Sequence, residues 1–235
     1  MADLIRKQKL LDDFDRMGRT VRMKLLDRYY YSAKSIWNIT AQARQEFAAL
    51  IPQIPYIGEK NIWQLNLDAC AMDLALYRAL KKQGFTFTEA VQMMYDIFEA
   101  YLQSFPRPMR LAYRWYYFSP FYQHYLRRGA ALSQLRRYPE DWVFTYVGGD
   151  GSVFDIGVDI TECAIVKFCY AQGAEHLVAC LCKLDHAMGK LLGLGLARTG
   201  TLAEGAPVCD CRWKYGAETP DWPTSIASVP IQKLA

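Results

Sequence analysis

No uninterrupted apolar run in the chain reaches ~18 residues, so a membrane-spanning helix is not expected. Charge of one sign is equally scarce. The formal net charge is +4 over 235 residues, too small a surplus to name a polyanionic partner. The first segment, MADLIRKQKLLDDFDRMGRTVRMKLLDRYYYSAK, is charged throughout and lacks an apolar core followed by a small-residue cleavage site. The expectation is a cytoplasmic protein with no membrane partner. There are 3 histidines, at 124, 176 and 186, and they show no ligand spacing. Neither a P-loop nor a G-x-S-x-G elbow occurs, and GLGLARTGTLAEG lacks the strand-turn-helix order of a dinucleotide fingerprint. Repeats, low-complexity tracts and flexible linkers are also missing, which favours one compact domain over 1–235. The 7 cysteines are an odd number in a chain without an export signal, and this predicts reduced thiols.

What is present is helix in front and a mixture behind. Leu4, Leu10, Leu11 and Phe14, then Leu25, Leu26, Tyr29, Tyr30, Ala33 and Trp37, recur at helical spacing and predict helix over 2–50. Prolines 52 and 55 end it. A second helix is expected over 62–83, with Leu65, Cys70, Leu74, Tyr77 and Leu80 facing inward and Gly84 as its stop. Thr86 or Thr88 can cap the next, which runs towards Pro106. From Ala100 to Pro139 there are seven arginines and no Asp, Glu or Lys. That stretch reads as a helical pair with core rings and snorkelling arginines. A basic aromatic stripe for single strands or anionic lipid, or an arginine in a carboxylate pocket, are the alternatives. After Pro139, DWVFTYVGGDGSVFDIGVDITE alternates around GGDG as a β-hairpin, ECAIVKF through GKLLG is helical in at least two pieces, and VCDCRWKY is a returning strand. The fold class is therefore α+β: a mostly helical half, 1–139, packed on a mixed half, 140–235, with a small, mainly antiparallel sheet.

Two Cys-x-Cys pairs stand out, Cys180/Cys182 and Cys209/Cys211. Structural zinc sites use Cys-x₂₋₄-Cys knuckles whose turn lets two sulfurs converge. In an extended strand Cys209 and Cys211 share a face and Asp210 points the other way. A metal is therefore not expected, and no cofactor is implied. For nucleophilic chemistry a thiol needs a depressed pKa or an adjacent base. Cys182 lies within helical reach of Asp185, His186 and Lys190, and Cys209 stands beside Asp210 and Arg212. Cys70, Cys163 and Cys169 read as small buried hydrophobes.

These segments together resemble the 2-aminothiazoline-4-carboxylate hydrolase family, cysteine-forming enzymes of bacteria. The resemblance is carried by LIPQIPYIGEKN, ALYRALKKQGFTFTEAV, FDIGVDITECAIVKF, LCKLDHAM and above all RTGTLAEGAPVCDCRWKY, from about Leu50 to Tyr215. Its most specific portion joins Cys182 and Asp185 with Thr201, Gly205, Cys209 and Asp210; Cys180, His186 and Cys211 fall outside it. The resemblance implies hydrolysis of a cyclic amidine C=N bond, opening a thiazoline ring to an N-carbamoyl-cysteine. Cys182 or Cys209 is then the nucleophile and Asp185 or Asp210 the acid or base; alternatively, one of these carboxylates activates water for the same attack. Thr201 and Gly205 line the substrate, and Arg198 or Arg212 pairs with its carboxylate. The expected partner is a small carboxylate substrate, not nucleic acid, with a homo-oligomer left open. The rival readings are a ring-forming or ring-editing enzyme acting on a larger aromatic substrate, and a non-catalytic module that binds a small molecule or lipid.

Overall fold

The computed structural model describes residues 2–29, 32–59 and 61–220. Its internal packing divides into two compact units, Met1–Ile54 with Leu65–Ser104, and Pro55–Gln64 with Phe105–Ala235. The first holds α1 (Ala2–Tyr29), α2 (Ala33–Leu50), α3 (Gln64–Lys82, from Leu65 on) and α4 (Phe87–Gln103). The single helix expected over 2–50 is instead two. Ser32 takes an extended conformation (φ −62°, ψ 146°) and its hydroxyl accepts the Ser35 N–H at 3.1 Å, so a fresh helix starts there. Tyr30, read as part of the helical stripe, lies outside the described residues.

Ala43, Phe47, Leu67, Leu74 and Leu80 are fully buried, with Phe14 stacked on Phe47 at 5.5 Å. One inward assignment is corrected. Leu65 is 80% exposed, because Leu67 rather than Leu65 is in phase with Cys70, Leu74 and Tyr77. Trp37 is exposed too, and its ring carries the Arg22 guanidinium at 5.1 Å. Thr86 caps α4 through a reciprocal capping box with Glu89.

The second unit continues through α5 (Arg107–Tyr117) and α6 (Pro120–Ser133) to the strands β1 (Val143–Gly148) and β2 (Ile156–Glu162). The helices α7 (Ala164–Ala171), α8 (Glu175–Leu181) and α9 (Leu184–Leu192) follow, then β3 (Leu196–Ala197) and β4 (Cys209–Trp213). The sheet is antiparallel with order β1-β2-β4-β3, and the fold class is α+β as expected. Opposite β4, Ile160 pairs with Cys209, Val158 with Cys211 and Gly157 with Arg212. Space is tight there: a Cβ at 157 would come within 2.8 Å of Arg212 Cδ, and the arginine side chain would have to shift. No helix among the described residues is long and apolar enough to cross a membrane.

Candidate active site

Alternation along β4 sorts its residues. Cys209 and Cys211 are buried, while Asp210 and Arg212 occupy the more open face. The buried face meets the α8–α9 junction. Cys182 caps the end of α8, and Asp185 sits in the first turn of α9. Between them comes Arg198, just beyond β3, whose side chain is 2% exposed. Its Nη1 donates to Asp185 Oδ2 at 3.0 Å, its Nη2 to the Cys182 carbonyl, and its guanidinium also reaches the Cys211 sulfur. Burial alone would favour discharging this cation. The Asp185 carboxylate and the Cys182 and Cys211 thiols more than offset that, and its pKa is raised.

All the thiols here are driven upwards by desolvation. Cys182 is held well above the ordinary thiol value, Cys211 at about 12, and Cys209 above its usual range. Arg198 pulls each of the three back towards the thiolate, and Asp185 opposes it. Cys209 has a further stabilising partner: the Leu202 N–H donates to its Sγ at 3.0 Å. The loop that supplies this donor is a 3-10 turn, Leu202–Glu204, closed by Gly205 at φ 83°. Nothing lies within 4 Å of a Cβ placed on Gly205, so glycine is needed for its left-handed backbone and not for room. Thr201 is fully buried, and its hydroxyl donates to Glu204 Oε2 at 2.9 Å.

On the other face of β4 the expected site residues are engaged elsewhere. Asp210 accepts the Thr199 N–H at 2.8 Å, the Thr199 hydroxyl at 2.7 Å and the Gly200 N–H at 3.2 Å. Arg212 donates to the carbonyls of Val158 at 3.1 Å and Cys211 at 3.0 Å, and pairs with Asp159 at 2.7 Å. The structure therefore brings together Cys182, Asp185, Arg198 and Cys209, with Thr201 and Gly205 shaping the adjoining turn. It places Asp210 and Arg212 on the opposite side of the strand. His186 is buried, Nδ1 lies 3.3 Å from the Pro220 carbonyl, and burial with Arg198 lowers its pKa. Among the described residues no group of three or more His, Cys, Asp or Glu side chains is arranged to hold a metal ion. All seven cysteines are free thiols.

Three neighbours were not foreseen. Tyr117 is buried, and its phenol, pushed well above its ordinary pKa by desolvation, also feels Tyr122, Tyr113, Cys211 and Asp185. Cys163, assigned to packing, stands close enough to Cys209 and Cys182 for their charges to interact, and it accepts a hydrogen bond from the Trp142 indole. Lys183 is 5% exposed, and burial lowers its pKa beside Cys180 and Glu204. The 113/117 spacing of tyrosines on one helix face was the available signal for the first. The adjacency of Lys183 to Cys182 was the signal for the last.

A family model described as L-2-amino-thiazoline-4-carboxylic acid hydrolase matches residues 64–213, which include Tyr117, Cys182, Asp185, Arg198 and Cys209. The chain belongs to the L-2-amino-thiazoline-4-carboxylic acid hydrolase family. The matched span ends on the last residue of β4 and so takes in the whole thiol cluster and the loop that serves it. No curated protein and no solved structure matches the chain significantly.

Proposed function

We propose that the protein opens a five-membered cyclic amidine bearing a carboxylate, of the 2-aminothiazoline-4-carboxylate type, with Cys209 as nucleophile. The observation that carries this reading is the buried Arg198 guanidinium, set among the Cys182, Cys209 and Cys211 thiols and paired to Asp185, inside the span shared with a thiazoline hydrolase family. A fixed cation in a water-poor site lowers the cost of forming a thiolate and steadies charge that develops in the addition step.

The bonds balance in two stages. Asp185 takes the Cys209 proton, the sulfur adds to the amidine carbon, and the ring C–S bond breaks, its sulfur leaving with that proton. A water, deprotonated by the same carboxylate, then attacks the resulting isothiourea carbon. The C–S bond to Cys209 breaks, the thiol is regenerated, and a carbamoyl-cysteine departs. The Leu202 N–H, which reaches Cys209 alone, favours it over the more deeply suppressed Cys182; Arg198 acts on both. Both guanidinium forks already serve protein groups, so Arg198 acts as fixed charge and Arg212 as sheet scaffold. Asp210 holds the Thr199–Gly200 loop.

One observation supports a second reading. Burial raises the pKa of Cys209, while the Asp185 side chain is 47% exposed, which suits a carboxylate that activates water directly. Incubation with 2-aminothiazoline-4-carboxylate and mass detection of the ring-opened product tests both. Under the first reading Cys209→Ser abolishes product and Cys182→Ser reduces it in part. Turnover retained by Cys209→Ser but lost in Asp185→Asn selects the second. If the unaltered protein yields no product, this substrate class is wrong.

A further inference from the structure

A cleft of about 320 Å³ opens in the second unit, away from the thiols. It is formed by the loop preceding α3, the C-terminal half of α6 and the turn that leads into β1. Its volume is at the lower end of small-ligand sites, ~300–1,000 Å³. Trp63, Tyr125, Tyr138 and Phe144 contribute rings to its lining, and Trp63 lies against Phe144 at 4.1 Å. Three guanidinium groups line it as well, those of Arg128, Arg136 and Arg137.

Their charges are not equally available. Arg136 pairs with Glu162, which Lys167 also holds at 2.5 Å. Among the described residues Arg128 and Arg137 have neither an ion pair nor a hydrogen bond. Of the two acids in the lining, Asp141 is occupied by the Asn61 amide at 2.9 and 2.8 Å and by the Trp142 N–H at 2.7 Å. Glu59 remains at the exposed rim. Over the lining as a whole, three guanidinium groups stand against the Asp141 and Glu59 carboxylates, a surplus of one positive charge, and the Glu162 charge that Arg136 meets is balanced by Lys167. Arg136 adds a separate sign of construction. Its φ of 46° makes it the one non-glycine residue with left-handed backbone among those described, at a helix end where glycine is the usual choice.

We propose that this cleft is a second binding site, distinct from the thiol cluster, for a small flat monoanion: an aromatic or conjugated carboxylate of one or two rings. Planar guanidinium forks match a carboxylate in a two-pronged contact, and they stack on ring faces. Tyrosine and tryptophan walls favour a flat aromatic body over an aliphatic chain. The single surplus charge selects a monoanion over a polyphosphate or a nucleic-acid strand. Behind the cleft Trp63 meets Trp142 edge-on at 5.5 Å, and the Trp142 indole reaches the Cys163 thiol. The ligand would thus lie behind a tryptophan pair and not in contact with Cys209.

The test is calorimetric titration of the full chain with naphthoate and with its neutral isostere naphthalenemethanol. Naphthoate should bind the unaltered protein and the Cys209→Ser variant with equal affinity. It should bind Arg128→Gln/Arg137→Gln about ten-fold or more weaker, and the alcohol should bind about ten-fold weaker than the acid. Both arginines are exposed, so the double variant should melt as the parent does; if it does not, Arg137→Gln alone must still weaken naphthoate by about three-fold. Four results overturn the proposal: no heat at millimolar naphthoate, equal affinity for the arginine variants, loss of binding in Cys209→Ser, or displacement of naphthoate by a single-stranded oligonucleotide.

Discussion

The two faces of β4 hold the same kinds of groups in opposite circumstances. On one, Cys209 and Cys211 are buried beside Arg198, whose side chain is 2% exposed and which pulls the Cys182, Cys209 and Cys211 thiols towards the thiolate. On the other, Asp210 and Arg212 are richer in obvious chemistry, a carboxylate and a guanidinium, yet each is engaged by backbone and neighbouring side chains. A carboxylate that already accepts three hydrogen bonds is a poor proton acceptor for a substrate, because its anionic form is favoured. Reactive potential here follows from what a group has left unsatisfied, and less from the residue type.

The contrast is sharpest in turnover. Cys209→Ser should lose on the order of 10³-fold or more in kcat/KM for the thiazoline, whereas Arg212→Gln should stay within about three-fold of the parent. Comparable losses in both would erase the distinction between the faces. Removing the buried cation by Arg198→Met should cost about 10²-fold in rate and about 2–3 kcal/mol in stability, measured by denaturant unfolding. Asp185 stays partly solvated in that variant, which keeps the stability loss below that of a fully buried pair.

Alkali probes the same face. Burial raises the Cys211 thiol from 9.0 to about 12, and Cys182 and Cys209 move in the same direction. The unfolded thiols ionise at their ordinary value while the folded ones stay neutral. Below that value both states are protonated and stability is unaffected. As pH rises from about 9 to about 12 the unfolded state loses protons first, and stability falls. Cys211→Ala should flatten that alkaline decline, which equilibrium unfolding across the range would detect; an unchanged slope contradicts the burial account. Smaller still is Asp210→Asn, which should destabilise by about 1–2 kcal/mol while changing kcat by less than about five-fold. A larger effect on kcat than on stability would move Asp210 into the chemistry.

Much of this was legible in the chain. The period-2 pattern of CDCRW puts Cys209 and Cys211 on one face and Asp210 on the other, as β4 has them, and of the two candidate caps Thr86 and Thr88 it is Thr86 that starts α4. The choice between Arg198 and Arg212 was not legible. Arg198 follows a strand of 2 residues, too short to show a period, so nothing local reveals that its side chain turns inward. Tyr117 was hidden in a run of rings, where a buried phenol and an exposed one read alike. The arginine-lined cleft depends on Asn61 meeting Asp141 across 80 residues, a contact no local pattern encodes. The break before α2 was missed because the spacing of apolar residues survived across it while one serine side chain captured the backbone.

The most direct measurement is acid quench of the protein during turnover of 2-aminothiazoline-4-carboxylate, followed by peptide mass analysis. The account predicts a substrate-derived adduct on the peptide carrying Cys209, absent in Cys209→Ser and retained in Cys182→Ser. Turnover without any adduct, or an adduct on Cys182 instead, would contradict it.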